Sequence, residues 1–244
     1  MGGQYDFTGK VAVVTGVGRE GQIGHAVAEA FGKAGAKLII ADRDAVGLAR
    51  NAKAFAAQGV DVRPAAGDLT EADCARWVVE QAMETFGRID VLVNVAGGLL
   101  SIAPATEAAA DVIQREMAVN VTTMYLVTRE TAKVMVQQRS GAIVSFASIA
   151  GLSAKPSMAA YSAAKAGVAS LTRSFALELR DAGVRVNAVA PGTVRTRENR
   201  ASMSDAADVH WVELEDVVNA VLFLASDLAA GINGHVLPIS GGEV

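Results

Sequence analysis

Cysteine is almost absent: Cys74 is the only one in 244 residues. A disulfide within the chain and a multi-cysteine zinc site are therefore excluded. Histidine is nearly as scarce, and His25, His210 and His235 lack metal-ligand spacing, so no metal site is expected. Neither sign of charge dominates. The net charge is −4 and no run of five or six like charges occurs, which argues against a nucleic-acid partner bound through bulk charge. No apolar run reaches the length of a membrane-spanning helix. The first residues, Met1-Gly2-Gly3-Gln4-Tyr5-Asp6, lack the basic and apolar regions of a signal peptide, and Asp6 stands where a myristoylation motif has Ser or Thr. These absences lead to the expectation of a cytoplasmic protein with no membrane partner. Proline is also rare, which excludes a Pro-rich, extended chain.

Hydrophobic residues make up 51% of the chain, enough for a large core. Apolar runs of strand length alternate with helical patterns. Strands are expected at Lys10–Thr15, Lys37–Ala41, Val60–Ala66, Ile89–Asn94, Ala142–Ala147, Val184–Ala190 and His235–Ile239. Helices are expected at Ile23–Ala34, Ala45–Gln58, Glu71–Phe86, Asp111–Gln138, Ser157–Asp181 and Glu215–Ser226. Several strands are apolar throughout, the mark of strands covered on both faces in a parallel sheet. The alternation runs to the end without a linker or an internal repeat. It predicts an α/β, doubly wound parallel sheet of the Rossmann type, about seven strands in the order 3-2-1-4-5-6-7 with helices on both faces. One domain is expected over residues 1–244. In such folds ligands lie beyond the C-terminal ends of the strands, so functional residues should follow the strands.

The first strand leads into Thr15-Gly16-Val17-Gly18-Arg19-Glu20-Gly21-Gln22-Ile23-Gly24 and a helix. Glycines there allow a tight turn and close backbone approach to a pyrophosphate, and the helix start offers amide donors. Asp42 ends the second strand, eighteen residues past Gly24, where an acidic side chain accepts from an adenosine ribose. Its charge would repel a 2′-phosphate, favouring NAD over NADP. Arg19 and Arg43 argue for NADP, since either could reach such a phosphate. Gly67-Asp68-Leu69 and Asn94-Val95-Ala96-Gly97-Gly98 follow the third and fourth strands and could close over the adenine half of a dinucleotide.

Tyr161 and Lys165 are four residues apart at the start of a helix, on one face. A neighbouring ammonium favours tyrosinate and should lower the Tyr161 pKa, suiting it to exchange a proton with an alcohol or ketone. Ser148, thirteen residues earlier, could polarise a substrate carbonyl. Asn120 is a polar residue inside an apolar stretch and must find partners.

With these elements in order, the chain resembles a short-chain dehydrogenase/reductase of the compact, single-domain type, from about Phe7 to Gly242. The resemblance implies that Tyr161 is the general acid and base, that Lys165 holds the nicotinamide ribose and depresses the Tyr161 pKa, that Ser148 orients the reacting oxygen, and that Asn120 holds a water that relays protons. It also implies a dinucleotide cofactor, NAD with NADP as the alternative. The cofactor would rest on Gly16, Gly18, Gln22, Ile23, Asp42, Asp68, Leu69, Asn94, Ala96, Gly97, Tyr161 and Lys165. Pro191, Gly192, Val194 and Thr196 would cradle the carboxamide. Copies of the chain are the expected partners, as a tetramer or a dimer, through the two long helices.

Three departures stand out. The glycine turn is two residues longer than the family pattern, with Gln22 where the middle glycine would align; Val95 replaces a second Asn; and Ser240 replaces an acid before the final Gly-Gly. A short substrate lid is expected near residues 196–214. Arg195, Arg197 and Arg200 could attract an anionic group on a small alcohol or ketone substrate. The alternative within the family is a 3-oxoacyl-carrier-protein reductase using NADPH, for which Arg139 matches one carrier-docking position but Ala182 replaces a second base. The alternative from another class is a non-catalytic dinucleotide sensor, which would usually have lost Tyr161 or Lys165.

Overall fold

The computed structural model describes residues 5–203 and 209–242. The chain runs β1 (Val11–Thr15), α1 (Ile23–Lys33), β2 (Lys37–Asp42), α2 (Ala45–Ala57), β3 (Val62–Ala66), α3 (Ala72–Phe86) and β4 (Val91–Asn94). It continues through α4 (Val112–Met117), α5 (Thr123–Gln138), β5 (Gly141–Phe146), α6 (Ile149–Leu152), α7 (Ala159–Leu179) and β6 (Val184–Pro191). Next come β7 (Thr193–Val194), α8 (Arg197–Ser202), β8 (Trp211–Val212), α9 (Leu214–Ala225) and β9 (Val236–Ile239). Seven strands form one parallel sheet in the order β3-β2-β1-β4-β5-β6-β9, the expected doubly wound topology, while β7 and β8 pair separately. Among the described residues no helix is long and apolar enough to cross a membrane.

The period of two along each strand sorts the core. Ala12, Val14, Leu38, Ile40, Val91, Val93 and Val144 face one layer, with Phe31 of α1 and Val221 of α9. Val13, Ile39, Leu92, Ile143 and Val186 face the other, with Val78 of α3, Val127 of α5 and Phe175 of α7. Both faces are dry, so the strands read as unbroken apolar runs. At β1 the strand order reverses, and a crevice opens between the diverging loops after β1 and β4. The Thr15 hydroxyl ties those loops by accepting from the amides of Val95 (3.1 Å) and Ala96 (3.0 Å).

Two helices depart from the sequence pattern. The expected helix over Asp111–Gln138 is broken by a π-helical turn at Ala118–Thr122, between α4 and α5. The apolar residues continue through this turn, so periodicity does not reveal it; such turns concentrate at functional sites. The expected helix from Ser157 begins at Ala159 instead, because Ser157 has φ 62°, outside helical space. Leu179 ends α7, and a 3₁₀ turn follows at Arg180–Ala182.

Ile39 is fully buried in the centre of the second layer. Ile39→Ala is expected to lower stability by about 2–5 kcal/mol, read from the urea midpoint at unchanged slope.

Candidate active site

The nucleotide crevice is built by backbone approach. Gly16 has φ 78°, and a Cβ there would lie 2.8 Å from the Ala96 amide nitrogen. A Cβ on Gly24 would overlap the Gly16 carbonyl oxygen, so α1 seats directly on the turn. Gln22 precedes α1 with no side-chain cap, and the first turn carries no acidic residue. The leading amides, from Ile23 onward, are thus uncapped by any side chain, a donor set suited to a pyrophosphate. Asp42 is fixed at the rim: its carboxylate accepts from the amides of Gly18 (2.7 Å) and Asp44 (2.9 Å), one on each oxygen. Asp68 accepts from the Thr70 amide (2.9 Å) and hydroxyl (2.8 Å), and these bonds hold its carboxyl below the usual range. The residues present therefore fit a dinucleotide.

The lengthened glycine turn is tied to α8. The Arg197 amide donates to the Gly21 carbonyl at 3.3 Å, and Arg19 bridges both Glu198 oxygens at 2.8 Å. Arg19 is thereby engaged, which weakens its case as a 2′-phosphate ligand; Arg43 stays exposed near Asp68. Asn94, expected at the cofactor, ends β4 with its side-chain amide turned into the core. Its side chain donates to the hydroxyls of Thr128 (3.0 Å) and Ser145 (3.1 Å), bracing β4 against α5 and β5 inside the core. Leu69 is buried beside that core, and Ala96 and Gly97 line the turn after β4. Gly192 bonds to Ile239 (2.9 Å) past Pro191, Val194 is buried, and the Thr196 hydroxyl caps α8 by accepting from Asn199 (3.2 Å).

The proton-transfer candidates meet at the end of β5. Ser148 caps α6, accepting from the Ala150 amide at 3.2 Å, and its hydroxyl reaches the Pro191 carbonyl at 3.5 Å and favours the ionised form of Tyr161. Lys165 is buried one turn along α7, where its ammonium donates to the Phe146 carbonyl at 2.8 Å. That nitrogen lies 5.8 Å from the Tyr161 ring centroid. Asn120 occupies the π turn, accepts from the Gly98 amide and donates to the Gly98 carbonyl, both at 3.0 Å. The missing side chain of Gly97 makes room, since a Cβ there would lie 2.6 Å from the Asn120 oxygen.

Burial pushes the Tyr161 phenol up, the charge of Glu116 adds to this, and the Ser148 hydroxyl opposes it. This corrects the expectation of a depressed Tyr161. In this arrangement the ammonium is turned to Phe146, and loss of water outweighs it. Burial also pushes Lys165 down, to about 8, against the attraction of Glu116.

Two participants escaped sequence reasoning. Gly151 lets α6 sit on α7, as a Cβ there would lie 2.6 Å from the Lys165 carbonyl carbon. Glu116 is fully buried behind Asn120, and its position four residues before Asn120 was the available signal. Before α8, Arg195 bonds to Glu213 at 2.8 Å and lies 5.1 Å over the Trp211 ring. Residues 204–208 of the expected lid lie outside the described residues. Among the described residues no group of three or more His, Cys, Asp or Glu could hold a metal.

The family model for short chain dehydrogenases matches residues 10–207. A 2-(S)-hydroxypropyl-CoM dehydrogenase of Xanthobacter autotrophicus is 37% identical, covering 96% of each chain. A 3-oxoacyl-[acyl-carrier-protein] reductase of Thermotoga maritima is 34% identical over 97% of this chain and 98% of its own. The crystal structure of a xylitol dehydrogenase with NAD⁺ bound superposes with a TM-score of 0.89 at 28% identity, over 97% of this chain and 99% of that one. The chain belongs to the short-chain dehydrogenase/reductase family and is an oxidoreductase. Its cofactor is of the NAD(P) class.

The buried Lys165 makes stability depend on pH. Its folded pKa of about 8 lies below the ordinary 10.5, so the unfolded chain binds the extra proton between those values. The cost of burying the ammonium is fully present below pH 8 and disappears as pH rises to 10.5. Relative to Lys165→Met, the native protein is expected to gain up to about 3 kcal/mol across that window in denaturant titrations at constant salt. A constant difference would show that the ammonium carries no such burial cost.

Proposed function

We propose that the protein is an NAD-linked oxidoreductase interconverting a secondary alcohol and a ketone, with Tyr161 exchanging the substrate proton. The observation that carries this reading is the meeting of Ser148, Tyr161 and Lys165 at the end of β5, with the Lys165 ammonium anchored on the Phe146 carbonyl and 5.8 Å from the Tyr161 ring centroid. When bound, the nicotinamide supplies or accepts hydride. The protein supplies the rest. Tyr161, held as a phenol by its surroundings, donates its proton to the carbonyl oxygen in reduction; in oxidation it must first release that proton, and the tyrosinate then takes the one from the substrate hydroxyl. Ser148 orients that oxygen. Lys165 uses one donor on Phe146 and has others for a ribose. Asn120, locked to Gly98, steadies the turn after β4 and is the residue that would hold a relay water.

Gly16, Gly18, Gln22, Ile23, Asp42, Asp68 and Leu69 would hold the adenosine and pyrophosphate, and Pro191, Gly192, Val194 and Thr196 the carboxamide. Asp42 supports NAD, since its fixed carboxylate stands where a 2′-phosphate would be repelled. Arg197 and Arg200 remain candidates for an anionic substrate group. The reading as an NADPH-dependent 3-oxoacyl-carrier-protein reductase is favoured by the Thermotoga relative, and opposed by Asp42 and by the Arg19–Glu198 pair. The presence of both Tyr161 and Lys165 opposes a sensor without turnover. The whole chain acts as one catalytic unit in this reading, in the cytoplasm, where the lone Cys74 stays reduced. It assembles with copies of itself through α5 and α7, where Tyr125, Val136 and Leu177 present apolar side chains to solvent.

Tyr161→Phe is expected to lower kcat/KM by about 10²–10⁴-fold on a panel of secondary alcohols while NADH binding is retained. Retained turnover would remove Tyr161 from the chemistry. In fluorescence titrations the native protein should bind NADH more tightly than NADPH, and Asp42→Ala should narrow the gap. Tighter NADPH binding by the native protein would promote the carrier-protein reductase reading.

A further inference from the structure

Glu116 is a buried charged residue for which the scheme above has no task. It lies on α4, four residues before Asn120, and is 0% exposed. One carboxylate oxygen accepts from the Leu100 amide at 2.8 Å, the other from the Asn120 side-chain amide at 2.9 Å. The same Asn120 nitrogen reaches the Glu116 backbone carbonyl at 3.1 Å. Both side-chain oxygens meet N–H donors, a set that suits an ionised carboxylate, which can only accept. α4 packs against α7, and the Glu116 charge favours the Lys165 ammonium there without a direct ion pair between them.

We propose that Glu116 is a positioning residue of the proton-transfer site: it braces Asn120 and the turn from Gly97 to Leu100, and it holds a fixed negative charge against the Tyr161–Lys165 pair. This inference rests on Tyr161 being the proton-exchanging group. Three groups bear on the phenol: the Ser148 hydroxyl after β5, Glu116 from α4, and Lys165 from the same helix. Glu116 disfavours tyrosinate and favours the Lys165 ammonium, so the resting pair is a phenol beside a cation. Because Lys165 is turned to the Phe146 carbonyl, removal of Glu116 acts on the phenol chiefly through the lost negative charge. A residue that only packed would leave the titration of Tyr161 unmoved.

The test needs no substrate. Tyrosinate formation is followed by near-ultraviolet absorbance across alkaline pH in the native protein, Glu116→Gln, Glu116→Met and Glu116→Asp. Each is measured with and without Tyr161→Phe, so that subtraction isolates Tyr161 from Tyr5 and Tyr125. Gln and Met remove the charge, and the Tyr161 transition is expected to move to lower pH by about one unit. Gln turns an amide donor toward Asn120; Met fills the space without one, so whichever of the two folds decides the question. Asp keeps the charge and should keep the transition near its native position. An unmoved transition in a folded Gln or Met variant overturns the proposal. Retained turnover in Tyr161→Phe would instead sink the proton-exchange reading, while the titration would still report whether Glu116 charges the site.

Discussion

The ammonium of Lys165 is buried, held by the Phe146 carbonyl, and the catalytic end of the sheet is arranged to make that tolerable. An isolated charge in such a place would be costly, so its surroundings are polar in a specific way. A main-chain oxygen faces it from the end of β5. A buried carboxylate acts on it from α4. Gly151 removes the side chain that would otherwise hold α6 away from the helix carrying it. Each of these also fixes a neighbour: the end of β5 leads to Ser148, Glu116 grips Asn120, and α6 begins with the Ser148 cap. The reacting groups are therefore positioned by the same contacts that accommodate the charge.

The layers of the fold were legible because their signals are local. Val, Ile and Leu runs bounded by glycine gave the strands, and their lack of alternation gave a sheet covered on both faces. Tyr161, Lys165 and Ser148 were legible through spacing and position after a strand. What escaped depends on contacts far apart in sequence. The π turn around Asn120 lies within an apolar helical pattern that continues on either side, and Asn120 meets Gly98 from twenty-two residues away. Asn94 reads like the other polar residues that follow strands, yet its side chain turns inward to Thr128 and Ser145. The direction of the Tyr161 shift could not be read from a Tyr and a Lys four residues apart. It is set by how dry the site is and by a carboxylate on another helix.

The lengthened glycine turn shows how an insertion can leave a binding crevice intact. Gly16 and Gly24 keep the close approach of strand, turn and helix, and Gly18 remains bonded to Asp42. The lengthened turn finds partners on α8.

That tie has a mechanical meaning. Gly21 is joined to Arg197 through the backbone, and Arg19 to Glu198 through an exposed ion pair. One side of the link belongs to the glycine turn after β1, the other to α8, where the segment expected to cover the substrate begins. An ion pair this exposed contributes less than about 1 kcal/mol, so it guides without locking. The glycine turn and α8 are thus linked by contacts that orient the two without fixing them.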